Sequence, residues 1–524
     1  MPTPNAPGAI VVGGGHNGLV CAAYLAKAGI RPLVVEARHQ VGGCAGTESA
    51  CGVRVNICNC DHGMVRTMPI FDELDLGSFG LRYVDLEPGA AILGWDAPGA
   101  LPLFHDPEQA IEAAERLFPG EGANYRRFLH DATGPAELLI EMAGANPTAP
   151  SLLRRAIGRR TPAALTLLAW SRRSVGDVLR SYFTDEGILG PAMAAGPAVW
   201  GLGPDTPGTG LGALSLAFKH VVGVGRPIGG SGALTDAIAA AIEHHGGEVR
   251  TSTPVRSILC EGERIRGVEV TGPDGETETI EAPLVVIACD PREAIVRYLS
   301  DPPASASAFV ARWADHEPQE GYEAKIDARL TELPRWRYAT DNPLYDDLGF
   351  TDRLSPTTMV APSLAEIDRG HRLMERGEIL ERPMFYVNMP SVLDDTLAPA
   401  GSHVFSLEVL FTPYRFTGGW ESRTEPERWL HVAAELFEPG FLDSVAEWRA
   451  VTPAHYEREY HLPKGHATSF SGGPLDAILG RQKELTRYAT PIDGLFLTGA
   501  ATFPGAGVWG ASGRNAAHTI LATG

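Results

Sequence analysis

Near the start of the chain, Gly13-Gly14-Gly15-His16-Asn17-Gly18 fits the spacing G-x-G-x-x-G. Each glycine has a task. Gly13 permits a tight turn, Gly15 lets backbone N–H groups approach a pyrophosphate, and Gly18 lets a helix pack closely on a strand. Glu36 follows about 20 residues later, where its carboxylate can accept hydrogen bonds from ribose hydroxyls. The chemistry these residues carry is dinucleotide binding. His16 and Asn17 sit inside the loop, and His16 is read as a neighbour of the cofactor and not as a base. A second glycine turn comes just past the acid, Val41-Gly42-Gly43-Cys44-Ala45-Gly46. A third, Gly499-Ala500 followed by Pro504-Gly505-Ala506-Gly507-Val508-Trp509-Gly510, lies at the far end of the chain.

Proton transfer points to Asn59, Asp61 and His62. His62 is the candidate general base, oriented by Asp61 or another acid. The alternative is a hydrogen-bonded structural histidine. Trp509 is a candidate substrate-facing aromatic, with packing as its alternative. Phe385, Tyr386, Phe411, Tyr414, Phe416 and Trp420 could line an apolar pocket or be ordinary core. Cys51, Cys58 and Cys60 beside His62 lack a second ligand pair, so no metal is expected. No G-x-S-x-G elbow is present, and a serine hydrolase is not supported.

The elements that must position these residues are readable. Residues 9–12 form an apolar run expected to be a buried parallel strand. Residues 19–28 carry apolar positions at helical spacing and stop at Gly29. Residues 31–35 make a second strand ending at Glu36. At the other end, 495–498 read as a strand and 512–521 as a helix after the glycine loop. A helix start there can offer N–H groups to a phosphate or a flavin edge. The two ends must therefore meet in the fold.

The acid-plus-GG arrangement resembles the extended fingerprint of the phytoene desaturase-like and amine oxidase superfamily of FAD enzymes. The C-terminal loop is similar to the family's flavin motif. The resemblance continues through Arg226-Pro227-Ile228-Gly229-Gly230, then Gly246-Gly247-Glu248-Val249 with Val255, then residues 282–288 with Asp290-Pro291. It is nearest to the branch that contains pyridine-nucleotide-disulfide-oxidoreductase-domain protein 2. The resemblance implies an α/β fold: a Rossmann-like FAD-binding domain of glutathione-reductase type with an interleaved mixed α+β substrate domain. It implies FAD along Gly13, Gly15, His16, Asn17, Gly18, Glu36, Ala37, Arg38, Gly42, Gly43, Cys44, Ala45, Val255, Gly499, Ala500, Gly507 and Val508.

It further implies an oxidoreductase that takes two hydrogens from an apolar small molecule, hydride to flavin N5, by carbon–carbon desaturation. Oxygen or a quinone would accept the electrons. A flavin amine oxidase is one alternative. Many of those use an aromatic cage and a lysine that holds a water near N5, and here Lys325 and Lys464 are the candidates among five lysines. A non-catalytic flavin-binding protein or a redox-neutral isomerase is the other.

At 524 residues, two interleaved domains are expected. The flavin domain is read as 1–100, 222–300 and 465–524, and the substrate domain as 101–221 and 301–464. A net charge of −20 argues against a nucleic-acid partner. Seven scattered cysteines and the absence of a signal-peptide pattern suggest a cytoplasmic protein. Residues 151–180 carry Arg154, Arg155, Arg159, Arg160, Arg172, Arg173 and Arg180 among leucines and Trp170. This stretch can contact an anionic membrane surface or be a solvated face paired with acids.

Overall fold

In the computed structural model, residues 6–58, 60–145, 148–470, 472 and 474–523 are described. Asn59 lies outside them.

Two sheets organise the chain. The first is five-stranded and wholly parallel, in the order Leu495–Leu497, Val285–Ile287, Ala9–Val12, Pro32–Val35, Glu248–Arg250. Its three inner strands and the edge strand Leu495–Leu497 are short apolar runs that are fully buried, as a helix-covered parallel sheet requires. The helices His16–Lys27, Gly232–His244 and Ala511–Thr523 pack together beside it. A four-stranded sheet, Thr277–Glu281, Arg264–Thr271, Val255–Glu261 and Leu299–Ser300, is a separate layer.

The second large sheet has seven strands: Val445–Val451, Glu323–Leu330, His403–Leu410, Phe385–Asn388, Thr358–Ala361, Ala90–Gly94 and Leu101–Leu103. It is antiparallel except where Thr358–Ala361 runs beside Ala90–Gly94. Helices Pro107–Leu117 and Glu121–Ala143 share its core. The N-cap Asp106 starts the first of them by accepting from Glu108 N at 3.0 Å, with Pro107 in the first turn.

The boundary expected at residue 100 is corrected by this topology. Ala90–Gly94 and Leu101–Leu103 belong to the seven-stranded sheet, so the first crossing between domains falls before Ala90. The basic stretch 151–180 is broken into helices Ala149–Ala156, Thr161–Trp170 and Val175–Arg180. Within it, Arg160 pairs with Glu137 and Glu141, and Arg180 with Asp205. Leu153, Ile157 and Leu165 stay exposed. Among the described residues, no helix is long and apolar enough to cross a membrane.

Candidate functional site

The glycine loop has the geometry its spacing demands. Gly13 has φ +107, and a β-carbon there would lie 3.1 Å from the Ala288 carbonyl carbon. A β-carbon on Gly18 would lie 2.4 Å from Gly13 O, so strand and helix approach too closely for any side chain. At Gly15, by contrast, a β-carbon would meet nothing within 4 Å. The helix His16–Lys27 begins there with no side-chain cap and no acid in its first turn. Its free N–H groups and positive dipole end thus face open space, and a pyrophosphate fits this arrangement.

Glu36 is fixed beside the loop. Its carboxylate accepts from Gly14 N at 2.7 Å and from Arg38 N at 2.8 Å. Thr253 N donates to Glu36 O and Ser252 N to Arg38 O, which brings the segment before Val255 alongside Glu36, Ala37 and Arg38. The GG turn is held by Gly42 N donating to Gly14 O at 2.8 Å. Gly43 lies against Gly15, and Cys44 and Ala45 continue in the same short turn.

The C-terminal loop meets this loop. Ser512, at the start of the last helix, accepts from Gly499 N at 3.0 Å and also bonds Thr498 and Thr502. Ala500 O accepts from Phe470 N. His16 hydrogen-bonds the Gly507 backbone, and burial pulls its imidazole down to about 4. It is therefore neutral at ordinary pH. Val508 packs into the helix core, and Trp509 leans on the same cluster with its indole nitrogen 3.1 Å from a β-carbon position at Gly507.

The base role expected for His62 does not fit its surroundings. His62 is 0% exposed, and both ring nitrogens are occupied, Nδ1 by Tyr83 OH at 2.9 Å and Nε2 by Ser231 Oγ at 2.7 Å. Burial lowers it to about 3. It braces the chain crossing, where its backbone exchanges two hydrogen bonds with Gly225. Asp61 does not orient it. Asp61 accepts from Arg226 Nε at 2.7 Å, and Arg226 also donates to Thr357.

The strand Glu323–Leu330 carries a row of charged groups, of which Lys325 alone stood out in the sequence. Glu323, Lys325 and Asp327 alternate with apolar residues and so share one face of the sheet. Lys325 stands opposite Glu408, Glu408 opposite Tyr386, and Tyr386 opposite Met359. Lys325 is 2% exposed; its ammonium pairs with Asp327 at 2.5 Å and donates to Asn56 O. Asp327 also takes Arg449 at 3.0 Å, Arg449 takes Glu48 at 2.8 Å, and Glu48 takes Arg38 at 3.1 Å. A chain of ion pairs thus runs from the sheet to the ribose end of the glycine loop.

Beside Lys325, the carboxyl groups of Glu323 and Glu408 hydrogen-bond each other. Burial and the neighbouring carboxylate push Glu323 far up, and burial pushes Glu408 up to about 7. Cys44 and Cys58 are also hydrogen-bonded, which lowers the Cys44 thiol and raises that of Cys58. Glu323, Glu408, Tyr386, Cys44, Cys58 and His16 are densely surrounded by protein yet keep accessible surface. They therefore line an interior cavity between the glycine loops and the seven-stranded sheet. Of the aromatics singled out in the sequence, Tyr386 faces this cavity. Phe385 and Phe411 are core, Phe416 packs at a tilt on Trp420, and Tyr414 bonds Glu457.

Comparison with known proteins agrees with this geometry. Residues 11–70 match the NAD(P)-binding Rossmann-like domain, and residues 159–314 match the flavin containing amine oxidoreductase family. Pyridine nucleotide-disulfide oxidoreductase domain-containing protein 2 of Rattus norvegicus is 28% identical, over 98% of this chain and 93% of the relative. The phytoene desaturase (neurosporene-forming) of Rhodobacter capsulatus is 27% identical, over 95% of this chain and 91% of the relative. A wild-type putrescine oxidase bound to putrescine superposes with a TM-score of 0.60 over 99% of both chains at 18% identity, a likeness of fold.

Proposed function

We propose a reaction from one premise: the chain belongs to the amine oxidase and phytoene desaturase-like superfamily of flavin oxidoreductases, and its cofactor is FAD. The reaction is removal of two hydrogens from an apolar small molecule across a carbon–carbon bond. FAD, when bound, supplies the hydride acceptor. Gly15, the first turn of His16–Lys27 and Glu36 would hold its pyrophosphate and ribose. The glycine loop from Gly499 to Val508 would lie against its flavin end. Tyr386 and Met359 give the sheet face an apolar wall that orients a substrate and excludes water.

The observation that carries carbon–carbon chemistry over amine oxidation is the likeness to phytoene desaturases along nearly the whole chain. Lys325 does not decide between the two. Its ammonium is held in a buried ion pair with Asp327 and donates to the Asn56 carbonyl, so two of its three N–H groups are committed and one is left toward a water or a flavin.

Product analysis tests the reading. The purified protein, loaded with FAD, is incubated with polyenes, cyclic terpenoids, fatty acyl compounds and amines under oxygen and with a soluble quinone. The expected product is two mass units lighter than its substrate, with a new double bond and no loss of nitrogen. Conversion of amines alone, to aldehydes or ketones, would refute it.

A further inference from the structure

The cavity contains an acid–base apparatus built on the substrate sheet. Glu323 and Glu408 come from adjacent antiparallel strands and are diagonal neighbours in register, so their carboxyls meet on the cavity side. Two carboxyls in direct hydrogen bond must share a proton between them. Their surroundings fix that state. On the same strand, Lys325 pairs with Asp327, and its charge also acts on both carboxyls, opposing the burial that raises them. Tyr386 faces them from the next strand, but its hydroxyl is spent on Ala194 O. Cys58 approaches from the segment after Asn56, with its thiol engaged by Cys44 and Tyr456.

A second observation points to a ligand. Tyr322 is 7% exposed, its ring packs on His466, and the charges of Glu323, Glu408, Cys58 and Cys44 act on it. Its hydroxyl makes no hydrogen bond among the described residues and is not sealed off from the cavity space. A phenol that opens on the cavity without a protein partner is left to bond whatever fills the cavity, water or substrate.

We propose that the Glu323–Glu408 pair is the proton acceptor of the desaturation, with Tyr322 directed at the bound substrate. This rests on the reaction proposed above. One substrate C–H bond would give up its hydrogen together with the bonding electron pair, for which FAD, when bound, supplies the acceptor. The adjacent C–H bond gives its electrons to the new carbon–carbon π bond, and its proton passes to the ionised oxygen of the pair. The pair thereby goes from one proton to two and later returns one to solvent. No further oxidant enters this step. A group poised near neutrality suits such a transfer, because it can both take and release the proton at working pH.

The experiment uses the FAD-loaded full chain in two measurements. Infrared difference spectra between pH 5 and pH 9 should show one carboxylic acid that ionises near neutrality in the wild type. That signal should vanish in both Glu408→Gln and Glu323→Gln. Anaerobic flavin reduction by the best reductant of the compound panel is then followed against pH. Wild-type rates should rise through neutrality. Glu408→Gln should fall by about 100-fold or more with flavin content intact and with the inflection removed, and Glu408→Asp should regain part of both. Glutamine variants that keep flavin and match the wild-type rate and pH profile would overturn the proposal. So would an unchanged infrared signal. If no compound reduces the wild type, the proposed reaction itself fails and this inference falls with it. If the wild type is reduced and the variants equal it, only the inference fails.

Discussion

Gly513 lies so close to Asn17 that a β-carbon on it would sit 2.1 Å from the Asn17 carbonyl oxygen. The first and last helices of the chain are therefore in backbone contact, and the glycine loops that precede them open toward the same space. His16 bonding the Gly507 backbone closes that arrangement from the other side. A binding site assembled from residues 13–18 and 499–508 exists only when the chain folds back on itself.

Gly15 separates binding from folding. It has an ordinary φ of −69 and open space in front of it. Gly15→Leu should therefore fold with stability within roughly 0.5 kcal/mol of wild type while losing bound flavin. Gly18→Ala should instead destabilise by roughly 1–3 kcal/mol, because its methyl would press on Gly13 O. Thermal melts and the flavin-to-protein absorbance ratio check both. A flavin-replete Gly15→Leu would contradict the placement of the pyrophosphate.

Asp327 is the centre of the ion-pair chain. It is fully buried, neutralises Lys325 at 2.5 Å and accepts Arg449 at 3.0 Å. Asp327→Asn should cost about 3–5 kcal/mol, since two cations lose their shared anion in a region with little water. Denaturant unfolding measures this. A loss below about 1 kcal/mol would show that the pairs are solvated.

Much of the nucleotide site was legible from sequence because its demands are local. Left-handed or side-chain-free backbone at Gly13, Gly18, Gly42 and Gly499 can be met by glycine alone, and the spacing records it. The carboxyl pair was not legible. Glu323 and Glu408 become neighbours only through strand register, which two distant segments set together. One signal was present: Glu323, Lys325 and Asp327 alternate with buried apolar residues, a pattern that ordinarily marks a solvent-facing edge. Here the polar face looks into a cavity. The domain crossing before Ala90 was hidden for the same reason, since Ala90–Gly94 is defined by its pairing with Thr358–Ala361. His62 misled because a histidine beside an acid carries the same letters whether or not its ring nitrogens are free.

The raised pKa of Glu408 has a consequence for stability. A carboxyl whose folded value lies above its unfolded one stabilises the fold at low pH, and that contribution is lost as pH rises through the folded value, about 7. Each unit of the rise is worth about 1.4 kcal/mol. Wild-type stability should therefore decline between about pH 5 and pH 8 more steeply than that of Glu408→Gln. Melting temperatures across that range decide it. Parallel curves for the two proteins would mean that Glu408 is ionised like a surface carboxylate.

Lys219 is densely surrounded by protein, and burial pulls its ammonium below the usual range although Asp61 opposes this. Asp61 is already neutralised by Arg226. Lys219→Met should therefore be neutral or stabilising by on the order of 1 kcal/mol, because an apolar side chain of similar length removes a desolvated charge. A melt lowered by the equivalent of more than about 2 kcal/mol would show that Lys219 has an essential ionic partner.

The most direct test of the central claim is an anaerobic titration of the purified protein followed through its visible spectrum. The account predicts flavin absorption bands in the wild type, present as isolated or restored by added FAD. It further predicts bleaching of those bands by an apolar compound with a saturated carbon–carbon bond next to a double bond, and no bleaching by amines. A protein that takes up no FAD, or whose flavin is bleached by amines alone, would contradict it.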